Sequence, residues 1–192
     1  MKKIIFIFTL LLSFNLFAET NSPEYLFIKN TSEKVFNNLG SKKENTKEEI
    51  KKIVNKSLAD NIDYKYISLK VIGKNYKDHK REDIIDFIKV MKPYVLNLFI
   101  NSFSFYDNHK ILINPQTRKS GKMSSVYIKV KKSGEPDIDL VFKLRKSKDT
   151  FKIYDIVAEG ISMLSSKQSE FAPIIRKGGL KEATKMIKNK IK

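Results

Sequence analysis

The chain contains no cysteine and no tryptophan, and it has only two histidines. Without Cys there is no disulfide, no thiolate metal site and no thiol nucleophile. His79 and His109 do not stand at metal-ligand spacing with each other, and both fall in expected loops or element ends, where a solvated side chain is the default. Glycine is sparse, and no Gly-rich run is present to cradle a phosphate. Gly160-Ile-Ser-Met-Leu164 lacks the second glycine of a nucleophile elbow, and no Ser-x-x-Lys occurs anywhere. Arginine appears only at 81, 118, 145 and 176. Because Arg is the side chain suited to bidentate recognition of phosphates and bases, so few and scattered arginines argue against a nucleic-acid site. Beyond the N-terminus, no segment approaches the ~20 apolar residues that a spanning helix needs.

What the chain does have begins at that N-terminus. Lys2 and Lys3 precede an apolar run, Ile4 to Phe17, interrupted only by Thr9, Ser13 and Asn15, and Leu16-Phe17-Ala18 then offers a cleavage site. A charged start, a short apolar stretch and a small residue predict an export signal over residues 1–18; an uncleaved anchor is the alternative. No Cys follows, so a lipoprotein anchor is excluded. The expected mature chain, 19–192, is exported and forms one domain, long enough to bury a core without disulfides. The formal net charge is +17, carried mostly by scattered lysines. Either this reflects base composition, or a basic surface favours encounter with anionic headgroups or an acidic partner.

The first half reads as helical. Ser22-Pro23 is a cap followed by Pro at N1, and Gly40 is a stop, so a first helix is expected with Leu26, Phe27, Val35, Phe36 and Leu39 on its inner face. Thr46-Lys-Glu-Glu49 is a capping box ahead of Ile50, Ile53, Val54 and Leu58. Asp63 is placed to cap a short helix that ends at Gly73. A longer helical region runs from about Arg81 to Tyr106, with Pro93 expected to kink or split it. After that the period changes to two. Val126, Ile128 and Val130 alternate with Tyr127, Lys129 and Lys131, and Ile138, Leu140, Phe142 and Leu144 with Asp139, Val141, Lys143 and Arg145. Ser133–Pro136 reads as the turn between these two strands and Ser147–Thr150 as the turn into a third, Phe151 to Ala158, with Ile111 to Ile113 a candidate for a shorter one. From Ser165 the pattern is helical again, broken at Gly178-Gly179 and followed by a last turn or two. Helices, then a meander, then helices predict an α+β domain.

Candidate chemistry is thin. Asp137 and Asp139 share a strand face beside a turn and read as a solvated face. Ser165-Ser166-Lys167 reads as helix capping. Asp155 and Glu159 admit two readings: a general acid–base pair, or structural partners of groups such as Arg145 or Lys167. The abundant feature is apolar bulk, with 13 Phe and 8 Tyr. These either fill a core or partly line a cavity, and composition does not separate the two.

The run Tyr154-Asp-Ile-Val-Ala-Glu-Gly-Ile-Ser-Met-Leu-Ser-Ser-Lys-Gln-Ser-Glu-Phe171 resembles the signature of the MlaC (toluene-tolerance auxiliary) family of periplasmic phospholipid carriers. Pro23-Glu-Tyr-Leu26, Tyr64-Lys-Tyr66, Leu69-Lys-Val-Ile-Gly73, Asn75-Tyr-Lys77, Leu140-Val-Phe142 and Leu144-Arg-Lys146 extend the likeness over nearly all of the mature chain. Phe151 and Phe171 stand where the family often has Trp, and Lys92-Pro93 is unusual for it. The resemblance implies a helical N-terminal half packed on a curved antiparallel sheet, a nuclear-transport-factor-like cone with an apolar pocket. It implies a glycerophospholipid cargo, no cofactor and no catalytic group. The implied partners are an outer-membrane lipoprotein–porin complex and an inner-membrane ABC-type lipid transporter with its substrate-binding subunit. The apolar residues of the matched blocks that are expected to face inward are Tyr66, Val71, Tyr94, Leu98, Phe105, Val126, Ile128, Leu140, Phe142, Tyr154, Ile156 and Met163. Arg145, Lys146 and Lys167 are the candidates near a headgroup. Three rivals stay open: a binder of another apolar cargo, an enzyme on the same cone using Asp155 or Glu159, and a solid-cored basic adaptor.

Overall fold

Ser22 closes the first turn of a helix that runs Pro23–Leu39 (α1): its hydroxyl accepts from the Tyr25 amide at 3.2 Å, and Pro23 occupies N1. The structure, a computed structural model, describes residues 22–40, 45–74, 76–103, 110–131, 134 and 136–191. The leader, Phe105 and His109 lie outside the described residues. The buried stripe of α1 is Glu24, Ile28, Thr31, Ser32, Val35 and Leu39. These positions recur at helical spacing, and Leu26 lies off the stripe, which is why this expected inner-face residue is 40% exposed.

The capping box at Thr46 forms in full, with the Glu49 amide donating to Thr46 Oγ1 and the Thr46 amide donating to Glu49 Oε2. It opens α2, Lys47–Ser57, which buries Ile50 and Val54. Asp63 caps α3, Tyr64–Ile72, and Gly73 ends it at a φ of 96°. α4, Arg81–Phe103, passes through Pro93 without a break. The expected split does not occur. The carbonyl that Pro93, lacking an N–H, cannot pair with belongs to Lys89, whose side chain faces solvent.

The sheet is an open antiparallel meander of β1 (Lys110–Ser120), β2 (Met123–Lys131), β3 (Ile138–Ser147), β4 (Thr150–Ala158) and β5 (Ile161–Ser162), with neighbours in chain order. β1 is longer than the three residues expected. Pro115 lies within it where the pairing is irregular, between Ile113 and Thr117, on an edge strand that tolerates a missing donor. A bulge in β4 matters more. Lys143 pairs with Asp155 and Leu144 with Ile153, leaving Tyr154 as the extra residue. The bulge resets the alternation, so Ile153 and Ile156, an odd number of positions apart, are both buried.

Ser162 caps α5, Met163–Lys190. The helix breaks at Gly179, whose φ of 71° and ψ of −176° are not helical. Beyond it, Lys190 forms an ion pair with Glu170. A straight helix would put residues twenty apart roughly 30 Å from each other at ~1.5 Å rise per residue, so the two arms must fold back into a hairpin. The second arm is amphipathic and buries Leu180, Ala183, Thr184 and Ile187, and it is longer than the last turn or two expected. The whole is an α+β architecture, helices against one face of an open antiparallel sheet, with one continuous apolar core between them.

Candidate functional site

A cleft opens where α3, α4, β4 and the start of α5 meet. Met91, Val95, Leu98 and Phe99 supply one wall from α4, and Ile153, Tyr154, Asp155 and Ile156 supply the facing wall from β4. Ile62 and Ile67 close one side; Met163, Leu164 and Lys167 close the other. The lining is almost wholly apolar, with Asp155 and Lys167 as its charged groups. Its enclosed space is about 40 Å³, and the non-atom space reaches about 420 Å³ only when the open side is counted. Since a cavity of ~10–15 Å³ holds a water and small-molecule pockets run to ~300–1,000 Å³, the enclosed part has room for a few waters, and a ligand of larger size would need the walls to part.

The structure brings Leu98, Tyr154, Ile156, Met163 and Lys167 together in this cleft. Tyr66 stands behind Tyr154, edge to face with ring centroids 5.2 Å apart. Tyr94 is buried against Phe171 at 5.9 Å, and Lys167 Nζ lies 5.6 Å from its ring centroid. Val71 is buried on α3, and Val126 and Ile128 are buried under the sheet. Leu140 and Phe142 are half-buried against the same core. The lining residues not singled out from sequence have separate explanations. Met91, Val95 and Phe99 form an i, i+4, i+8 stripe that the helical period announces. Ile153 was hidden by the bulge. Ile62, joined to Ile153 by an isolated bridge, lies outside any periodic element.

The cationic candidates are held by specific partners. Arg145 donates from Nε to Asp63 Oδ2 at 2.9 Å, and its guanidinium carbon lies 5.2 Å from the Tyr66 ring centroid. Lys146 is exposed, and its amide donates to the Lys122 carbonyl at 2.8 Å. Lys167 donates to Glu170 Oε2 at 2.7 Å. Burial alone would lower the Lys167 ammonium, but hydrogen bonds to Glu170 and Tyr94 outweigh it and hold the group above its ordinary value. Burial likewise pushes the Tyr154 hydroxyl up, helped by Tyr66 and Asp155.

The two acids considered as a catalytic pair are each taken up separately. Asp155 is buried; it accepts from Ser162 Oγ at 2.7 Å and the Leu164 amide at 2.9 Å, and Lys143 Nζ lies 3.3 Å away. It thereby fixes the start of α5 to β4. Glu159 is exposed and accepts from the Asp139 amide at 2.7 Å. Neither pairs with Arg145 or Lys167, the partners expected from sequence. Among the described residues, no group of three or more His, Asp or Glu side chains is placed to hold a metal ion. Among them too, no helix is long and apolar enough to cross a membrane.

The sequence model described as MlaC protein matches residues 29–189. A Haemophilus influenzae protein named intermembrane phospholipid transport system binding protein MlaC is 28% identical over 171 residues, covering 85% of this chain and 78% of its own. A phospholipid-binding protein from Ralstonia solanacearum, solved in complex with a phospholipid, superposes with a TM-score of 0.76 at 16% identity, over 88% of this chain and 97% of its own.

Proposed function

Because this chain belongs to the MlaC family, we propose that it is a non-enzymatic periplasmic carrier that binds a glycerophospholipid by its acyl chains. In this reading residues 1–18 are a cleaved leader, and 19–192 form the single lipid-binding domain. The carrier moves lipid between an outer-membrane lipoprotein–porin complex and an inner-membrane ABC-type transporter with its substrate-binding subunit, and so maintains outer-membrane lipid asymmetry. The observation that carries the reading is the apolar cleft between α4 and β4 on this fold.

Physical chemistry explains why such a job needs a protein. Each CH₂ exposed to water costs about 0.8 kcal/mol, so a 16-carbon chain costs on the order of 12 kcal/mol, and two chains about twice that. A carrier offsets this by replacing bilayer contacts with its own apolar wall. Release demands that the wall hold the tails without many polar contacts, and the lining fits that demand. Arg145, Lys146 and Lys167 are the groups proposed to lie near the headgroup, Lys167 being the one that lines the cleft. The enzyme alternative has little support, since Asp155 and Glu159 are both occupied in holding backbone amides. Replacing both acids should leave lipid transfer intact, and loss of transfer without loss of fold would revive that alternative.

The decisive experiment is native mass spectrometry of protein purified from the periplasm without detergent, with lipid analysis of the extract. A stoichiometric phospholipid adduct is expected. A quinone or a lipoprotein acyl chain in its place would make this a carrier of another cargo. A bare mass, together with failure to take lipid from vesicles, would favour a solid-cored adaptor.

A further inference from the structure

We propose that the mouth of the cleft selects anionic glycerophospholipids, with Lys70 on α3 as the residue that reads the headgroup alongside Lys167 on α5. The inference rests on the carrier reading given above and adds to it the headgroup class.

The first argument is where the mouth lies. Most of the lining is buried, but Leu98, Tyr154, Met163, Leu164 and Lys167 are half-exposed. The cleft therefore reaches solvent beside the β4 bulge and the first turn of α5. Tyr66, itself half-exposed, meets the ring of Tyr154 at this edge. Lys70 follows Tyr66 by four residues, so the helical period sets both on one face of α3, and Lys70 Nζ lies 5.3 Å from the Tyr66 ring centroid. Gln168 donates from Nε2 to the Lys70 carbonyl at 2.8 Å, taking up one of the acceptors that the end of α3 leaves without a helical partner. Gln168 directly follows Lys167 in the chain. The two lysines are thus carried by one junction of α3 with α5 at the rim.

The second argument is charge. The carboxylates around the mouth already have partners. Asp63 holds Arg145, Asp155 holds Lys143, Ser162 and the Leu164 amide, and Glu170 is shared by Lys167 and Lys190. A single carboxylate between two ammonium groups leaves that trio net positive. Lys70 is exposed, and among the described residues it meets no carboxylate. Its contact is the Tyr66 ring, which holds an ammonium in place without neutralising it. The rim therefore keeps cationic charge that no acid cancels.

Such a rim attracts the phosphodiester of any glycerophospholipid, and the discrimination comes from the rest of the headgroup. Phosphatidylglycerol keeps its net negative charge. The ammonium of phosphatidylethanolamine cancels the phosphate and is repelled by the lysines. An aromatic ring can shelter an ammonium, but Tyr66 already carries Lys70 and, at 5.2 Å, the Arg145 guanidinium. Lysine suits the task, because a compact charge on a flexible stem can follow a headgroup at the surface and release it again.

The test incubates protein purified from the periplasm with vesicles of equimolar phosphatidylglycerol and phosphatidylethanolamine carrying identical deuterated acyl chains. The protein is then reisolated, and the two labelled adducts are compared by native mass spectrometry. Phosphatidylglycerol should be taken up about three- to fivefold over phosphatidylethanolamine, the scale that one exposed ion pair supports. Lys70→Gln should bring the two close to equal uptake, with total bound lipid and melting temperature unchanged, and Lys70→Arg should keep the preference. Lys185→Gln removes the same charge from an exposed site on the second arm of α5 and should leave the preference as in the wild type. Equal uptake by the wild type, or a preference that survives Lys70→Gln, overturns the proposal while the carrier reading stands. An equal fall in Lys185→Gln also overturns it, because the preference would then belong to the overall charge of the chain. Protein that takes up neither lipid removes the carrier reading, and this inference with it.

Discussion

Asp63 spends its two carboxylate oxygens on two different elements: Oδ1 accepts from the Tyr66 amide at 3.1 Å, capping α3, and Oδ2 accepts from Arg145 Nε at 2.9 Å. The Asp63 amide also donates to the Ile153 carbonyl at 2.9 Å. One buried residue therefore ties α3 to both β3 and β4 beside the cleft. Asp63→Ala removes a helix cap, worth about 1 kcal/mol, and strands a half-buried guanidinium, for a combined loss of roughly 2–4 kcal/mol. Urea denaturation should show a lower midpoint with an unchanged slope. An unaltered midpoint would mean that the bridge is not formed in solution.

The fold-back of α5 depends on adjacent glycines for different reasons. At Gly179 the positive φ is the obstacle, and a Cβ there would meet nothing within 4 Å. At Gly178 space is the obstacle, because a Cβ would sit 2.8 Å from the Cβ of Glu182. Gly179→Ala is expected to cost about 1–2 kcal/mol, since a positive φ combined with a ψ near 180° is a region that side-chain-bearing residues enter only under strain. That corresponds to a fall in melting temperature of roughly 2–8 °C for a chain of this size. Gly179→Asn should lose about as much as Gly179→Ala, because a ψ of −176° lies outside the αL well that Asn tolerates, in a region that only glycine occupies readily. Equal melting temperatures for all three proteins would show that the hairpin is not the solution structure.

Local rules account for the parts of this fold that were legible in the sequence. Ser22-Pro23, Thr46 with Glu49, and Asp63 carry capping chemistry that acts within a few residues, so each helix start could be read directly. Val126 and Ile128 alternate cleanly, and their strand pairs as the period demands. What escaped was decided by tertiary contact. One extra residue at Tyr154 shifts the phase of β4 and conceals Ile153. Gly178-Gly179 announces a break, but the direction in which the chain leaves it is set by the packing of Leu180 and Ile187 and by the Glu170–Lys190 pair. The cleft drew on both kinds of information. Leu98, Ile156 and Met163 were legible from apolar spacing within the matched blocks, whereas Ile62 came from an irregular segment that no period describes.

Glu170 gives the hairpin a pH dependence. Burial would raise its carboxyl, but hydrogen bonds and charge from Lys167 and Lys190 prevail and hold it below its ordinary value of 4.5. A depressed folded-state value stabilises the fold above the unfolded value and is lost as pH falls through the folded one. Stability should therefore decline below about pH 4.5 as this carboxylate protonates. Glu170→Gln should flatten that part of the acid limb and lower stability at neutral pH. Melting curves collected from pH 7 down to pH 3 on both proteins check this, and parallel curves would remove Glu170 from the account.

Blocking the cleft separates cargo binding from folding. Met163 begins α5, is half-buried and lines the cleft, so its side chain has room to change without rebuilding the core. Met163→Trp adds bulk where the enclosed space is only about 40 Å³. Overpacking a site that reaches the surface should cost less than the ~1–3 kcal/mol typical of a closed core, because the new ring can lean outward. Met163→Leu, close in volume, is the control and should cost under ~1.5 kcal/mol. The expected outcome is that the tryptophan variant folds and is exported yet retains several-fold less phospholipid than the wild type, whereas the leucine variant retains all of it. The measurement is bound lipid per protein by native mass spectrometry, paired with a melting temperature for each variant. Full lipid occupancy in a folded Met163→Trp protein would mean that the acyl chains lie elsewhere, and the cleft between α4 and β4 would then be core rather than binding site.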